Sequence, residues 1–224
     1  MSTPKLLEIA CFNLESALIA EKAGADRIEF CIDYEVGGIS PPIDLILEAR
    51  EKIKIPVYVM VRQREGNFVY SEIEIQWMIQ YVLFCATHGI NGIVFGALTG
   101  ENEIDLKTCV RLIEAAGNMS ITFHRAIDEC VNREGSINQL ISLGINKILT
   151  SGGQKDALSG LEKIKKLQST FGKKIIIMPG GGLRSENIKL LMDSGCSEFH
   201  SSALEKNSFI ADAKEIQTLK QLLT

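Results

Sequence analysis

The chain has 224 residues, of which 46% are hydrophobic and 23% are charged, and these are the proportions of an ordinary globular protein. The net charge of −4 gives no basic surface for nucleic acid, and no apolar run approaches the roughly 20 residues that a membrane span needs. We therefore expect a single domain over residues 1–224, without nucleic-acid or membrane partners.

The first residues run directly into a strand pattern without the apolar segment of a signal peptide. The six cysteines are scattered, with no C-x-x-C spacing. We therefore expect a cytoplasmic protein with reduced thiols.

Eight strand patterns alternate with eight helical patterns along the chain. Four segments share one design, in which a helix end, a glycine, a short turn and a strand follow one another, and they lie at 23–30, 88–95, 143–150 and 194–201. Four further strands fall at Leu6–Cys11, 57–61, Ser120–Phe123 and 175–178. The helical patterns cover approximately 14–23, 43–52, 72–87, 105–115, 134–142, 156–170, 185–193 and 210–223, with Ser71 and Ser185 as predicted N-caps. Strict alternation in four two-unit repeats predicts an α/β fold, a single-domain (β/α)8 TIM barrel.

Two of the predicted strands run directly into glycines. Thr150 is followed by Ser151, Gly152 and Gly153, and Met178 by Pro179 and the three glycines 180–182. Glycine lets the backbone approach a ligand and direct its N–H groups at an anion, which predicts an anion site. The alternative is that these glycines only form tight turns between strand and helix.

Polar residues alternate with apolar ones along several strands, and this pattern predicts which side chains point into the barrel. The predicted inward set is Glu8, Arg27, Glu29, Cys31, Arg62, Thr122, His124, Glu198 and His200. For Glu8, Arg27 and Glu198, low or midway in their strands, we favour a structural ion network. For the residues near strand ends, among them Glu29, Arg62 and His124, we favour a functional role.

The segment from His124 through Arg125 to Asp128 combines a histidine at a strand end with an arginine and a carboxylate. These residues suit a general acid or base, an anion clamp and an orienting partner. A loop held by pairing of Arg125 with Asp128 explains them equally well. Glu29 and Asp128 also have the oxygen ligands of a Mg²⁺ site, although their spacing does not require one.

Several kinds of chemistry have no support in the sequence. No lysine directly follows a strand, and Lys147 precedes its strand and is expected at the opposite face, which argues against a Schiff-base aldolase. The motifs of dinucleotide, P-loop and zincin sites are missing.

Two cysteines end neighbouring predicted strands. Cys11 ends the first strand and Cys31 the second, and soft thiolates select Cu(I) or Zn²⁺. Strict alternation from Glu8, however, turns Cys11 towards the helices. The two thiols then share a cavity only if the first strand bends or ends there.

Motifs along almost the whole chain resemble the CutC family of copper-homeostasis proteins. The residues that carry the resemblance are 7–11, 24–31, 37–41, 94–96, 122–126, 148–152, 178–182 and 199–203. The resemblance implies a TIM barrel, a cytoplasmic location, copper binding and a homo-oligomer, either a dimer or a tetramer. It also implies that Cys11 and Cys31 are the Cu(I) ligands, although it implies no established reaction.

One loop departs from the family pattern. After the third strand the family has Arg-Pro-Arg-Gly-Gly-Asp-Phe, whereas this chain has Arg62, Gln63, Arg64, Glu65, Gly66, Asn67 and Phe68. A role of the family's aspartate therefore cannot be transferred to Asn67.

Three functions follow from these observations. The first is Cu(I) handling through Cys11 and Cys31. The second is an enzyme acting on a small anionic or phosphorylated metabolite, with Glu29 and His124 exchanging protons. Its anion site would comprise Arg62, Arg125, Ser151, Gly152, Gly180, Gly181, Gly182 and Ser202. The third is a scaffold that associates through apolar helix positions such as Trp77 and Phe84.

Overall fold

The computed structural model describes residues 5–224, in which eight parallel strands form a nearly closed barrel surrounded by eight helices. The strands are β1 Leu6–Cys11, β2 Arg27–Phe30, β3 Val57–Met60, β4 Gly92–Phe95, β5 Ser120–Phe123, β6 Lys147–Thr150, β7 Ile176–Pro179 and β8 Glu198–Ser201. The helices are α1 Leu14–Ala23, α2 Ile43–Lys52, α3 Glu72–Thr87, α4 Leu106–Ala116, α5 Arg133–Ser142, α6 Leu161–Phe171, α7 Ile188–Met192 and α8 Ala213–Leu223. Hydrogen bonds join the strands in the order β7-β6-β5-β4-β3-β2-β1-β8. The two end strands, β7 and β8, also pack beside each other, which nearly closes the barrel. The predicted TIM barrel is confirmed.

Among the described residues, no helix has both the length and the apolar character that a bilayer span requires.

The main hydrophobic core lies between the barrel and the helices. Its largest fully buried side chains include Phe30, Phe95, Phe123 and Phe199, each on a different strand. Because side chains alternate across a strand, the neighbours of these phenylalanines point into the barrel, where the polar residues are found.

Helix starts depend on local capping, and one of the two predicted N-caps is confirmed. Ser71 accepts a hydrogen bond from the Glu74 N–H, and the Glu74 side chain accepts one from the Ser71 N–H, forming a capping box at α3. The N-cap predicted at Ser185 is wrong. The Ser185 N–H and hydroxyl both donate to Glu215 of α8, and α7 begins only after Asn187.

The helix predicted from residue 156 also begins later, at Leu161. Gly160 directly precedes it and lies against the backbone of Ser151, so that a Cβ there would fall 1.8 Å from the Ser151 carbonyl oxygen. The segment between Ser151 and Gly160 is a loop folded back on the end of β6, which sequence periodicity does not reveal.

The lower part of the barrel interior holds a buried ion network. Arg27 is paired with Glu8 and with Glu198, the latter at 2.7 Å. Lys147 Nζ lies 2.5 Å from Glu198, and Arg27 and Lys147 both lie over the ring of Tyr58. The predicted structural pairing of Glu8, Arg27 and Glu198 is present. The placement of Lys147 outside its strand is wrong, because Lys147 is the first residue of β6 and its side chain is buried inside the barrel.

We predict that Arg27→Met lowers the free energy of unfolding by about 3 kcal/mol, because two buried carboxylates then lose a partner. Arg111→Met is the matched control, since it removes an exposed pair with Glu72 and should cost less than about 1 kcal/mol. Urea denaturation followed by circular dichroism measures both. Equal losses in the two variants would contradict a structural role for the network.

Candidate functional site

A cavity of about 440 Å³ lies at the C-terminal ends of the strands. It is of the size expected for a small-molecule site and occupies the face at which TIM barrels bind ligands. Its polar lining includes Glu29, Arg62, His124, Arg125, His200 and Ser202. The structure therefore brings together polar residues from four different strands and the loops that follow them.

A buried cluster of two carboxylates and a histidine forms the floor of this cavity. His200 Nδ1–H donates to Glu8 Oε1 at 2.8 Å, while the other Glu8 oxygen is bound to Arg27. Glu29 is 3% exposed, and its Oε2 has no hydrogen-bond partner among the described residues. Ligand atoms of Glu8, Glu29 and His200 all lie within 4.8 Å of one another. One member of the cluster, Glu29, thus lines the cavity and keeps an acceptor without a partner.

The environment shifts the pKa values of this cluster in different directions. Burial raises the pKa of Glu29 to about 7, and the Glu8 charge adds to this against the opposing effect of His200. Burial alone would raise the pKa of Glu8 as well, but Arg27 and His200 outweigh it and lower the pKa to about 2. For His200, burial favours the neutral ring, yet Glu29 and Glu8 raise its pKa overall. The two carboxylates therefore differ, with Glu8 ionised at neutral pH and Glu29 able to exchange a proton there.

His124 directly follows β5 and lines the same cavity as Glu29. The Ala126 N–H donates to His124 Nδ1 at 3.1 Å, so the ring carries its proton on Nε2. That Nε2 is buried and has no partner within the described residues. Burial and the neighbouring Arg62 lower the pKa of His124 to about 3, which leaves the ring neutral.

Hydrogen bonds from the two terminal nitrogens of Arg62 to backbone carbonyl oxygens fix its side chain. Nη1 donates to the carbonyl oxygens of Val36 at 2.7 Å and Gly38 at 3.1 Å, and Nη2 donates to that of Gly66 at 2.9 Å. The Arg62 Nε–H, which is buried, has no partner among the described residues. Phe68 covers the guanidinium, with its ring centre 5.1 Å from Arg62 Cζ. The loop that departs from the family pattern therefore still contributes to fixing this arginine, through the Gly66 carbonyl and the Phe68 ring.

Asp128 organises the loop after β6. Its carboxylate accepts hydrogen bonds from the Thr150 hydroxyl, from the backbone N–H groups of Ser151 and Gly153, and from Arg125 Nε at 3.2 Å. Asp128 does not line the cavity, so it does not meet Glu29 there as a magnesium site would require. In this geometry Asp128 is a positioning residue for Arg125, whose side chain lines the cavity.

The predicted anion residues divide into two groups. The N–H groups of Ser151, Gly152 and Gly180 donate to Asp128, to the Thr150 hydroxyl and to the Thr150 carbonyl, so they are engaged within the protein. Gly181, Gly182 and Ser202 line the cavity together with Arg62 and Arg125. Gly181 (φ 95°) and Gly182 (φ 71°) have left-handed backbones, and a Cβ on Gly181 would lie 3.0 Å from Arg125 Nη1. Neither glycine N–H donates a hydrogen bond within residues 5–224.

The two thiols at the ends of β1 and β2 are both fully buried. Cys11 packs in the core between barrel and helices, whereas Cys31 packs with Tyr58, Met60 and Val94 inside the barrel. The Cys31 thiol lies 3.6 Å from the Cys11 carbonyl oxygen, and burial raises the pKa of both thiols. The alternation rule therefore gave the correct orientation of Cys11, and a metal bound by both sulfurs requires the Cys11 side chain to turn.

Other residues at the cavity had no signal in the sequence. Tyr34 and Glu35 reach it from the short helical turn after β2, Phe68 from the loop after β3, and Lys155 from the loop after β6. Their positions depend on loop conformation rather than on strand periodicity.

The fold and the cavity define a TIM-barrel protein with a polar, partly cationic ligand site at the C-terminal face. Comparison with known proteins is more specific. The model of the CutC family matches residues 5–205. A CutC-family protein of Photorhabdus laumondii is 44% identical over 198 residues, which cover 88% of this chain and 79% of that protein. The human copper homeostasis protein cutC homolog is 39% identical over 199 residues, which cover 88% of this chain and 73% of that protein.

A solved structure supports the same family assignment. The CutC protein of Streptococcus agalactiae superposes with a TM-score of 0.83 at 32% identity, covering 88% of this chain and 98% of that one. The chain belongs to the CutC family of copper homeostasis proteins.

The lowered pKa of Glu8 predicts a pH-dependent contribution to stability. Because the folded pKa lies below the unfolded value, the contribution is complete above pH 4.5 and is lost as the pH falls towards 2. We expect Glu8→Gln to cost about 3 kcal/mol at pH 7, and this cost to shrink by about 1.4 kcal/mol at pH 3.5.

Urea denaturation at several pH values measures this dependence. Glu48→Gln, which removes an exposed pair with Lys52, is the control and should change little at either pH. A Glu8→Gln cost that is independent of pH would mean that the Glu8 charge does not stabilise the fold.

Proposed function

We propose that this chain binds a small anionic metabolite at the C-terminal mouth of the barrel and catalyses proton transfer on it. The observation that supports this most directly is the free Oε2 of Glu29. A buried carboxylate oxygen without a partner is costly unless a ligand or water binds it, and this one belongs to a residue that lines a cavity of about 440 Å³.

Glu29 is the proposed general base and acid. Its neighbour His200 is hydrogen-bonded to Glu8, and Glu8 is paired with Arg27. These contacts fix the side chains at the floor of the site and place the Glu8 carboxylate against the Arg27 guanidinium. His124 has a different role from the one that its position in the sequence suggests. A neutral ring whose pKa is near 3 donates a hydrogen bond from Nε2 rather than accepting a proton at neutral pH.

The opposite side of the cavity suits the anion. Arg125 is half exposed there, Gly181 and Gly182 present backbone N–H groups, and Ser202 adds a hydroxyl. Backbone N–H groups beside an arginine are a common arrangement for phosphate, and the loops after the seventh and eighth strands are where TIM barrels often bind it.

We expect inorganic phosphate and glycerol 3-phosphate to stabilise the protein, by about 2.7 kcal/mol at a concentration of 100 Kd. Arg125→Gln should weaken this binding at least about 10-fold, because a charge-assisted hydrogen bond is lost. Isothermal titration calorimetry and thermal unfolding measure both effects.

Arg133→Gln is the matched control. Arg133 also stabilises this loop, by donating to the carbonyl oxygens of Ile127 and Asp128, but it does not line the cavity. Its phosphate affinity should stay within about 2-fold of that of the wild type. Absence of phosphate binding, or equal weakening in the two variants, would refute the anion site.

A second candidate function is Cu(I) binding, with copper as cargo and Cys11 and Cys31 as ligands. The observation in its favour is that the Cys31 thiol already contacts the backbone of Cys11, at 3.6 Å from its carbonyl oxygen. Thiolate sulfur is also the ligand that Cu(I) prefers. Burial of both thiols, and the turn required of Cys11, weigh against tight binding without rearrangement.

If the two thiols bind copper, an anaerobic titration against a competing chelator should give one Cu(I) per chain. The variant with both Cys11→Ser and Cys31→Ser should then lose this binding. The control carries Cys85→Ser and Cys109→Ser, which alter two buried thiols on helices, and should retain it. Equal uptake by the two double variants would exclude Cys11 and Cys31 as the ligands.

The expected homo-oligomer and cytoplasmic location stay predictions. Trp77 and Phe84 of α3, which suggested an association surface, are partly buried and pack against the core. Light scattering at several protein concentrations would measure the oligomeric state.

A further inference from the structure

Three buried polar groups around the cavity have no hydrogen-bond partner in residues 5–224. Together they indicate which hydrogen-bonding groups a ligand of this cavity would carry. Glu29 Oε2 is an acceptor on β2, Arg62 Nε–H is a donor after the end of β3, and His124 Nε2 belongs to the residue directly after β5. Buried polar groups are almost always paired in a native protein. Three unpaired groups lining one cavity therefore indicate the polar pattern of the molecule that belongs there.

The chemical state of His124 decides what this pattern recognises. Because Nδ1 accepts the backbone N–H of Ala126, Nε2 carries the proton and is a donor. The ring is also fixed in position: a Cβ on Gly96 would lie 2.4 Å from His124 Cε1, and the Phe68 ring centre lies 4.7 Å away on its other side. The cationic Arg62 faces this ring and disfavours a second positive charge on it.

Two donors, from residues that follow β3 and β5, and one carboxylate acceptor on β2 therefore belong to this site. A neutral N–H and a guanidinium N–H suit an oxygen that becomes more negative during a reaction, such as a carbonyl oxygen turning into an enolate oxygen. A carboxylate with a free oxygen in the same site suits removal of a proton from the carbon next to that carbonyl.

We propose that the substrate is a small phosphorylated α-hydroxy carbonyl compound, and that the protein enolises it, with Glu29 as the base and His124 and Arg62 as donors to the carbonyl oxygen. This rests on the proposed function, since the phosphate binds at Arg125, Gly181, Gly182 and Ser202. The cavity, at about 440 Å³, is large enough for such a molecule.

The proposed step is balanced in atoms and electrons. Glu29 takes the α-proton, the electron pair of that C–H bond forms the C=C bond of the enolate, and the carbonyl π pair moves onto oxygen. The N–H groups of His124 and Arg62 stabilise this oxygen. Glu29, now protonated, returns the proton to carbon, so the step needs no oxidant, reductant or metal.

The same arrangement predicts the tautomer of His124 in the free protein. In ¹⁵N-histidine-labelled protein, long-range ¹H–¹⁵N spectra from pH 5 to pH 8 should show His124 neutral and protonated on Nε2 throughout. His88 lies at the exposed C-terminal end of α3 and serves as an internal reference in the same spectra. A His124 ring protonated on Nδ1, or charged at pH 6, would overturn the proposal.

The decisive probe is phosphoglycolohydroxamate, a mimic of an enediolate that carries a phosphate. Calorimetry compares it with glycerol 3-phosphate, which has the phosphate but no enolate oxygen. We expect the wild type to prefer the hydroxamate by at least about 100-fold, as enzymes prefer transition-state analogues. His124→Ala should reduce this preference ratio by about 10-fold or more, and His124→Gln, which restores an N–H donor, should recover part of it.

The outcomes separate the two levels of the proposal. If glycerol 3-phosphate binds but the hydroxamate binds no more tightly, or if His124→Ala leaves the ratio unchanged, enolisation is refuted while the anion site stands. If neither compound binds, the proposed function itself fails. His88→Gln, which changes an exposed histidine far from the cavity, should keep the wild-type ratio.

Discussion

The carboxylate of Glu8 is the constraint on which the interior of this barrel depends. It is fully buried, and a buried charge persists only when it is paired. Arg27 binds one of its oxygens and His200 binds the other, so one side chain joins the structural lower layer of the barrel to the floor of the ligand cavity. Burial raises the pKa of Glu29, and the charge of Glu8 adds to this effect, whereas Arg27 and His200 lower the pKa of Glu8 itself, so the two carboxylates differ.

The barrel interior is divided by depth. Low in the strands, charges neutralise one another: Arg27 and Lys147 meet Glu8 and Glu198 over the ring of Tyr58. Near the strand ends the pairing stops, and polar atoms without partners appear. This change from satisfied to unsatisfied groups marks the boundary between the part of the barrel that supports the fold and the part available for binding.

The two thiols and the polar cavity suggest different ligands for this protein. Relatives are named for copper homeostasis, and thiolates such as those of Cys11 and Cys31 are the ligands that a soft metal prefers. Yet these thiols are enclosed and face different sides of the sheet, while the cavity is open and lined by charged side chains and glycines. The local physical chemistry thus favours a small anion as the ligand of the barrel mouth, with copper binding dependent on a rearrangement of β1.

The sequence by itself determined the barrel, the order and approximate limits of its strands, and the inward direction of most of the polar strand residues. These properties follow from local rules, namely the two-residue alternation of a strand and the glycine that ends a helix, and they placed Glu29, Arg62, His124 and His200 correctly at the mouth. Tertiary structure alone decided what those residues do.

The sequence could not show that His124 is fixed as a donor by the Ala126 N–H. Nor could it show that Asp128 occupies the N–H groups of Ser151 and Gly153, or that Lys147 turns inwards to Glu198. Each of these facts depends on atoms that a loop or the closing of the barrel brings together. Hydrogen bonds and buried charges are sensitive to distances of a fraction of an ångström, which no periodic pattern encodes.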